Sequence, residues 1–139
     1  NWGAENAGFK LSLSFEQQSA EYIYPINAVL VLSNATDQVL QTIRAPIKKA
    51  YRILVTDIDG TSIPLTKYGQ QQMRDDFNTT VQPIGIQPGR VFTEKILLNR
   101  WYDLSARGAY SVEVSRIVAD PVVKGWTYVT SNIVQLDIP

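Results

Sequence analysis

Two carboxylates one residue apart, directly after an apolar segment, are the residues of this sequence best suited to chemistry. Residues 53–61 are Ile-Leu-Val-Thr-Asp-Ile-Asp-Gly-Thr. A carboxylate such as that of Asp57 can attack phosphorus when a metal ion neutralises the charge repulsion, and a second one, Asp59, can act as acid and base. Phosphoryl transfer is therefore one chemistry that these residue types permit.

The same residues are similar to the nucleophile motif of haloacid-dehalogenase-type phosphatases. That resemblance implies an aspartyl-phosphate at Asp57, acid/base action by Asp59 and a magnesium ion between them. The family also requires a doubly wound α/β core with later Ser/Thr, Lys and paired-Asp motifs, whereas here the motif lies among amphipathic β patterns. We therefore favour a hairpin turn in which Gly60 supplies the positive φ, and keep the phosphatase as an alternative.

Composition excludes several classes of site. The 139 residues contain no Cys and no His, so disulfides, thiolate or imidazole metal ligands, cysteine nucleophiles and a Ser-His-Asp triad are excluded. Thirteen basic residues balance thirteen acidic ones, which gives no global electrostatic reason to expect nucleic acid or an anionic membrane. No apolar run approaches the roughly 18–20 residues that a membrane span needs. We predict no catalytic residue, no cofactor, no bound metal and no membrane insertion.

The start of the chain bears on its location. Residues 1–6 are polar and contain neither a basic segment nor an apolar one. Either the protein is cytosolic, or a signal peptide was removed before residue 1. We expect the second case, a secreted or periplasmic protein.

Alternating apolar and polar residues predict short strands along most of the chain. Residues 9–15 alternate strictly, and residues 26–32 form a nearly continuous apolar run, as expected for a central strand buried on both faces. Further strands are predicted at 39–43, 51–55, 62–65, 80–86, 91–98, 110–117 and 128–138. About seven to nine strands without a helical period between them indicate an all-β, antiparallel sandwich of immunoglobulin-like or fibronectin-III-like type. We predict one domain over 1–139, with 1–7 as a loose arm.

The segment 101–117 joins a turn to a strand. Asp103, Ser105 and Gly108 are turn residues, and Tyr110 begins an alternation of apolar and polar side chains. A Tyr in this position suggests a tyrosine corner, in which the hydroxyl ties the corner to the strand.

Candidate partner-binding residues lie in two places. The polar segment 67–80 interrupts the β pattern and is expected to hold one helical turn or a long loop, and loops of that length are often functional. Large aromatic residues beside polar turns can stack on sugars or anchor a peptide, although they can equally cap the core. The candidates are Gln70, Gln71, Gln72, Arg74, Trp101 and Trp126.

Other charged and polar residues are expected to be structural. Glu94 shares its parity in the strand with apolar residues, so that part of the strand is predicted to be wet or bulged. Scattered surface charge is the expectation for two basic groups, Arg100, Arg107 and Arg116, and Arg44, Lys48 and Lys49. The glycosylation triplets at Asn34 and Asn78 are interpreted as plain turns.

Several scaffold motifs together resemble a known class of domain. They are a strand ending in Leu-Ser-Asn, then Tyr-x-Ile-x-Val-x-Asp-x-Asp-Gly, then Pro-Gly before a strand, then Tyr-Asp-Leu-Ser-x-x-Gly-x-Tyr-x-Val, and they cover 26–34, 51–60, 88–98 and 102–114. This combination resembles bacterial immunoglobulin-like accessory domains. It is also similar to the β domains of deuterolysin-type protease propeptides and to BsuPI-type proteinase inhibitors.

This resemblance concerns turns, a corner and core positions, and it transfers no functional residue. It implies a non-catalytic, extracytoplasmic binding or accessory module with a protein or carbohydrate partner. The alternative that it leaves open is a protease inhibitor or a propeptide-like domain.

Overall fold

The computed structural model describes residues 1–16, 25–74 and 80–139, and in these ranges nine strands and three short helices follow one another. The strands are β1 Phe9–Phe15, β2 Asn27–Asn34, β3 Leu40–Arg44, β4 Tyr51–Asp57, β5 Gln82–Ile86, β6 Val91–Leu97, β7 Gly108–Asp120, β8 Gly125–Thr130 and β9 Val134–Ile138. The helices are α1 Ile47–Ala50, α2 Lys67–Arg74 and α3 Leu98–Trp101. Asn78, which begins the second glycosylation triplet, lies outside the described residues.

The first sheet contains three antiparallel strands in the order β1-β2-β6. β2 is central, as predicted, and its Leu30 lies opposite Leu13 of β1 and Glu94 of β6. The prediction that both faces of β2 are buried is wrong. Its buried and half-buried residues alternate, because only one face of the sheet packs against the other layer.

The second sheet is built along β7, whose 13 residues make it the longest strand described. β4 pairs with residues 110–116, and β3 joins the same edge of β7 through the pair Thr42–Val118. The opposite edge carries β9 along 108–112 and β8 along 115–120. One long strand therefore holds four others in register, and β5 extends the sheet from β3.

The two sheets face each other across an apolar core. One face of each strand supplies it, and its fully buried members include Leu11, Leu30, Val112, Val129 and Leu136. Burial of such side chains is the dominant stabilising contribution to a fold of this kind. The predicted all-β sandwich is confirmed.

Tyr110 forms the hydrogen bond that a tyrosine corner requires. Its hydroxyl donates to the carbonyl oxygen of Ala106 at 2.5 Å, four residues upstream, and burial raises the pKa of this phenol. The Asp103 carboxylate accepts hydrogen bonds from the Ser105 hydroxyl and backbone N–H, which lower the pKa of Asp103. The predicted turn therefore fixes where β7 begins.

The Asp57 carboxylate accepts hydrogen bonds from the backbone of a hairpin turn. Its Oδ1 accepts the N–H groups of Asp59 at 2.9 Å and Thr61 at 3.0 Å, and Gly60 has a φ of 80°. This positive φ is the conformation for which glycine was expected. The motif thus lies on a hairpin of an antiparallel sandwich, not on the doubly wound core that the phosphatase resemblance requires.

The boundaries differ from the predictions in three other places. The expected last strand, 128–138, is two strands, β8 and β9. The expected strand at 62–65 contributes only two isolated bridges, Thr56–Ser62 and Leu65–Tyr102. The arm 1–7, expected to be loose, is tied down, because Gly3 donates its N–H to Leu11 and the Asn6 side chain donates to the Tyr128 carbonyl.

Candidate binding site

Arg116 lies inside the sandwich, on the core face of β7. Its side chain is 1% exposed, so the prediction that it belongs to scattered surface charge is wrong. Nη2 donates to Glu94 Oε1 at 3.0 Å and to the Ile43 carbonyl at 2.9 Å. Nη1 donates to Thr42 Oγ1 at 2.8 Å and Nε donates to the Tyr51 hydroxyl at 3.2 Å.

This inter-sheet cluster, defined as Arg116, Glu94, Tyr51 and Thr42, joins the two sheets. The Tyr51 hydroxyl donates to Glu94 Oε1 at 2.6 Å while it accepts from Arg116. Burial is the main cause that raises the pKa of Tyr51 above its ordinary value. Since β6 belongs to the first sheet and β7 to the second, the ion pair fixes the register between the layers.

Glu94 is the residue for which the sequence predicted water or a bulge. The side chain of Glu94 is 28% exposed, so this position is partly wet as predicted, while its carboxylate also pairs with the buried Arg116. The register of β6 with β2 is continuous, so the strand has no bulge here. The signal was present in the sequence, since Glu94 and Arg116 each occupy a core parity of their own strand. Pairing the two required knowledge of which strands face each other. The cluster has its hydrogen bonds filled by the protein itself, which makes it a structural element.

Asn34 is likewise structural. Its side chain is 1% exposed, and Nδ2 donates to the Gln38 and Ile86 carbonyls at 2.6 and 2.8 Å. Oδ1 accepts from the N–H and hydroxyl of Thr36. The triplet that begins here is a turn, as interpreted from the sequence.

A cleft of about 320 Å³ lies where the three short helices meet the start of β4. Aromatic and apolar side chains form most of its wall, namely Ile47, Tyr51, Ile53, Met73, Trp101, Tyr102 and Tyr128. Two cationic side chains, Lys48 and Arg52, complete it. We call this feature the helix cleft. A volume of this size falls at the low end of the range for ligand pockets.

The wall of the helix cleft is held rigidly around Trp101. This residue is 7% exposed, and the ring of Tyr68 meets its ring edge-on with centroids 5.6 Å apart. Gly69 packs directly on the Trp101 backbone, where a Cβ would collide with the carbonyl oxygen. Tyr102, next in the chain, donates its hydroxyl to the Ile53 carbonyl at 3.2 Å, and burial raises its pKa.

The rim of the helix cleft is open and charged. Arg52 is exposed, and its guanidinium carbon lies 3.7 Å from the centroid of the Tyr128 ring, across β7. A second stacked pair, Arg100 on Tyr68 at 4.0 Å, links α3 to α2. Met73 is 52% exposed at the end of α2. The site thus combines a fixed wall with accessible charged and apolar side chains.

The six candidate residues divide between wall, rim and helix surface. Trp101 is buried, so its expected role as an exposed stacking ring is corrected to that of a wall. Trp126 is 57% exposed and lies two residues before Tyr128 on the same face of β8, beside the cleft. Gln70, Gln71 and Arg74 are exposed on α2 and Gln72 is half-buried. The helix of the polar segment and the Trp101 region therefore meet at one cleft, while residues 75–79 lie outside the described ranges.

Sequence reasoning missed Arg52, Tyr128 and Met73. Arg52 and Tyr128 are far apart in the chain, and each falls at an ordinary outward position of its strand. Only the strand order β4-β7-β8 brings their side chains together.

The described residues contain neither a group of side chains that could hold a metal ion nor a helix that could span a membrane. No group of three or more acidic side chains in 1–16, 25–74 and 80–139 could hold a metal ion. Within the same ranges no helix is long and apolar enough to cross a membrane.

Comparison with known proteins supports the fold. No protein-family model matches the chain, and no curated protein is significantly similar to it. The X-ray structure of the Northeast Structural Genomics Consortium target SoR45 is similar, with a TM-score of 0.53 and 9% identity over 98% of this chain and 91% of that chain. At this identity the similarity concerns the fold alone, that is, the arrangement of the strands.

Proposed function

We propose that this domain is a non-catalytic binding or accessory module, of immunoglobulin-like type and exported by a bacterium, which holds a protein partner in the helix cleft. The observation that carries the proposal is the rim of that cleft. Arg52 is stacked in place on Tyr128 and Met73 is exposed beside a buried aromatic wall. Side chains of these types, Arg and Met, are enriched where proteins meet.

A protein partner suits this rim better than a carbohydrate. Sugar recognition requires open aromatic ring faces, yet Tyr51 and Trp101 are buried and Arg52 covers Tyr128. Trp126, 57% exposed, is the ring beside the cleft with an open face. Met73 is adaptable and apolar, and it favours contact with a protein side chain.

Site-specific crosslinking tests the proposal. A photoreactive amino acid at position 73 is expected to capture a discrete partner from the extracytoplasmic fraction of the source organism. The matched control places the same group at Ser14, an exposed position on β1 in the first sheet. Capture at both positions, or at position 14 alone, contradicts the assignment of the cleft. Capture at position 73 that survives addition of excess unlabelled protein is nonspecific and contradicts it as well.

A protease-inhibitor or propeptide-like role is the second candidate, and one observation favours it. The hairpin between β7 and β8 exposes Val122 to 86% and Val123 to 75%. The Asp120 carboxylate accepts the N–H groups of both valines at 2.9 and 3.2 Å, which makes this apolar tip rigid. A rigid exposed tip is the kind of element that can enter a protease cleft, because little conformational entropy is lost on binding.

A panel of secreted metalloproteases and serine proteases, assayed with micromolar protein, tests this second role. Inhibition is expected to disappear when both valines are replaced by Ser. Absence of inhibition across the panel, or inhibition unchanged by the replacement, would rule the role out.

A further inference from the structure

The elements around the helix cleft carry a charge imbalance that the whole chain does not have. Their cations are Lys48, Lys49, Arg52, Lys67, Arg74 and Arg100, and α1, α2 and α3 contain no Asp or Glu. The carboxylate of β4, Asp57, lies at the far end of that strand. In the sequence Asp75 and Asp76 follow α2, outside the described residues. With Asp75 and Asp76 counted by their place in the sequence, these elements still carry six cations against two neighbouring carboxylates, in a chain that has 13 charges of each sign.

The Arg52 guanidinium is held in a fixed orientation by one of its faces, not through its N–H donors. Its flat face stacks on Tyr128 at 3.7 Å, which leaves the N–H groups at its edge pointing away from the ring. Among the described residues, no hydrogen bond or ion pair engages these donors. An arginine held in this way presents a planar fork that matches the two oxygens of a carboxylate.

Apolar surface lies within the same cleft. Met73, Ile47 and Ile53 line it together with Arg52, so a ligand that reaches the guanidinium also meets apolar atoms. Met73 in particular has a flexible thioether that adjusts to different shapes. The cleft therefore offers a cationic contact and an apolar contact within about 320 Å³.

Building on the proposed function, we propose that the partner is an acidic segment of a protein, in which an Asp or Glu carboxylate binds Arg52 and a neighbouring apolar side chain packs against Met73. The local excess of cations complements such a segment and speeds its encounter. Nucleic acid is also anionic, but single strands bind through bases stacked on open rings. Of the rings that line this cleft, Tyr51 and Trp101 are buried, Tyr102 is half-buried and Tyr128 is covered by Arg52. Trp126 beside the cleft is the open ring, so a labelled oligonucleotide is included in the test.

Fluorescence anisotropy with synthetic peptides tests the proposal. The probes are short labelled peptides in a Gly-Ser background that place Asp or Glu at varied spacing from Leu or Phe. Amide counterparts carry Asn or Gln in place of the acid, and basic counterparts carry Lys. The acidic peptides are expected to bind at least about tenfold more tightly than their amide counterparts, since hydrogen bonds to charged groups are the stronger ones.

Two variants assign the contact to Arg52. Arg52→Gln is expected to remove the preference for the acidic peptides, and Arg52→Lys to restore it only in part, because an ammonium group cannot form the planar fork. The matched control is Arg90→Gln, an exposed arginine at the opposite end of β6 from α3, which is expected to change nothing. Circular dichroism spectra identical to wild type confirm that each variant is folded.

Several outcomes would overturn the proposal. They are equal binding of acidic and amide peptides, absence of binding by every acidic peptide, tighter binding of a labelled single-stranded oligonucleotide, or an equal loss in Arg90→Gln. The crosslink at position 73 separates this failure from a failure of the proposed function. If the crosslink forms but acidic peptides are not preferred, the cleft binds a partner of another chemistry. If the crosslink does not form, the cleft is not the binding surface.

Discussion

Two arginines stacked near tyrosines divide the molecule into a structural region and a candidate binding region. Arg116 is 1% exposed and donates to Glu94, Tyr51, Thr42 and two backbone carbonyls. Arg52 is exposed and has its face on Tyr128, while its N–H groups have no hydrogen-bond partner among the described residues. The same residue type thus holds the two sheets together in one place and faces outward in the other. An arginine such as Arg116, whose N–H donors are hydrogen-bonded within the protein, indicates a structural role. An arginine such as Arg52, which is held in place while its N–H donors have no partner among the described residues, indicates a role in recognition.

The largest effect is expected at the wall of the helix cleft. Trp101→Ala is expected to lower the free energy of unfolding by about 3–5 kcal/mol, because it leaves a cavity under Tyr68. Trp126→Ala, the exposed counterpart beside the cleft, should change it by no more than about 0.5 kcal/mol. Urea denaturation of both variants measures the difference. Similar losses in the two would mean that Trp126 is part of the core or that Trp101 is not.

The next largest loss of stability is expected in the inter-sheet cluster. Glu94→Ala leaves the Arg116 guanidinium buried without its ion pair, and about 3 kcal/mol of stability should be lost. Glu113→Ala, on the outer face of β7, is the control and should cost about 0.5 kcal/mol or less. A loss in Glu94→Ala no larger than that of the control would contradict the structural role.

A smaller effect is expected from the hydroxyl of Tyr51. Tyr51→Phe removes the donor to Glu94 and the acceptor of Arg116 Nε, at a cost of about 1–3 kcal/mol. Burial raises the pKa of Tyr51, so its stabilising contribution is complete below the unfolded value of about 10 and is lost as the pH rises through the folded one.

Unfolding measured from pH 8 to 11 checks the sign. Wild type should lose stability above about pH 10, and Tyr51→Phe should lose less over the same range. Tyr102 and Tyr110, whose pKa values are also raised, account for the remaining slope. Identical slopes in the variant and wild type would show that Tyr51 does not titrate differently on folding.

The smallest effect on stability is expected at the rim. Arg52→Gln removes an exposed stacked pair and should cost about 0.5–1 kcal/mol, although it should abolish the preference for acidic peptides. A double variant with Arg90→Gln should show additive stability changes, because the two sites share no contacts. A loss of several kcal/mol in Arg52→Gln alone would make this residue structural, like Arg116.

The sequence predicted what local patterns determine. The strict alternation of 9–15 and 110–114, the corner at Tyr110 and the turn at Gly60 all appear as expected. Each depends on the period of a strand or on the backbone of a few neighbouring residues.

What the sequence could not supply depends on strand order. Sequence alone places Arg116 on the surface, because a charged residue is seldom fully buried without a partner and its partner Glu94 lies 22 residues away on the other sheet. Arg52 and Tyr128 meet only because β7 lies between their strands. The end of the corner strand was also underestimated, since β7 continues to Asp120 where β8 pairs with it.

The most direct test of the central claim is a map of backbone amide chemical shifts during titration with the best acidic peptide. We predict that the shifts concentrate in α1, the start of β4, α2, α3 and β8 around Arg52, and leave β1 and β2 of the first sheet unchanged. Shifts centred on the Val122 hairpin tip or on the outer face of β1 and β2 would contradict it.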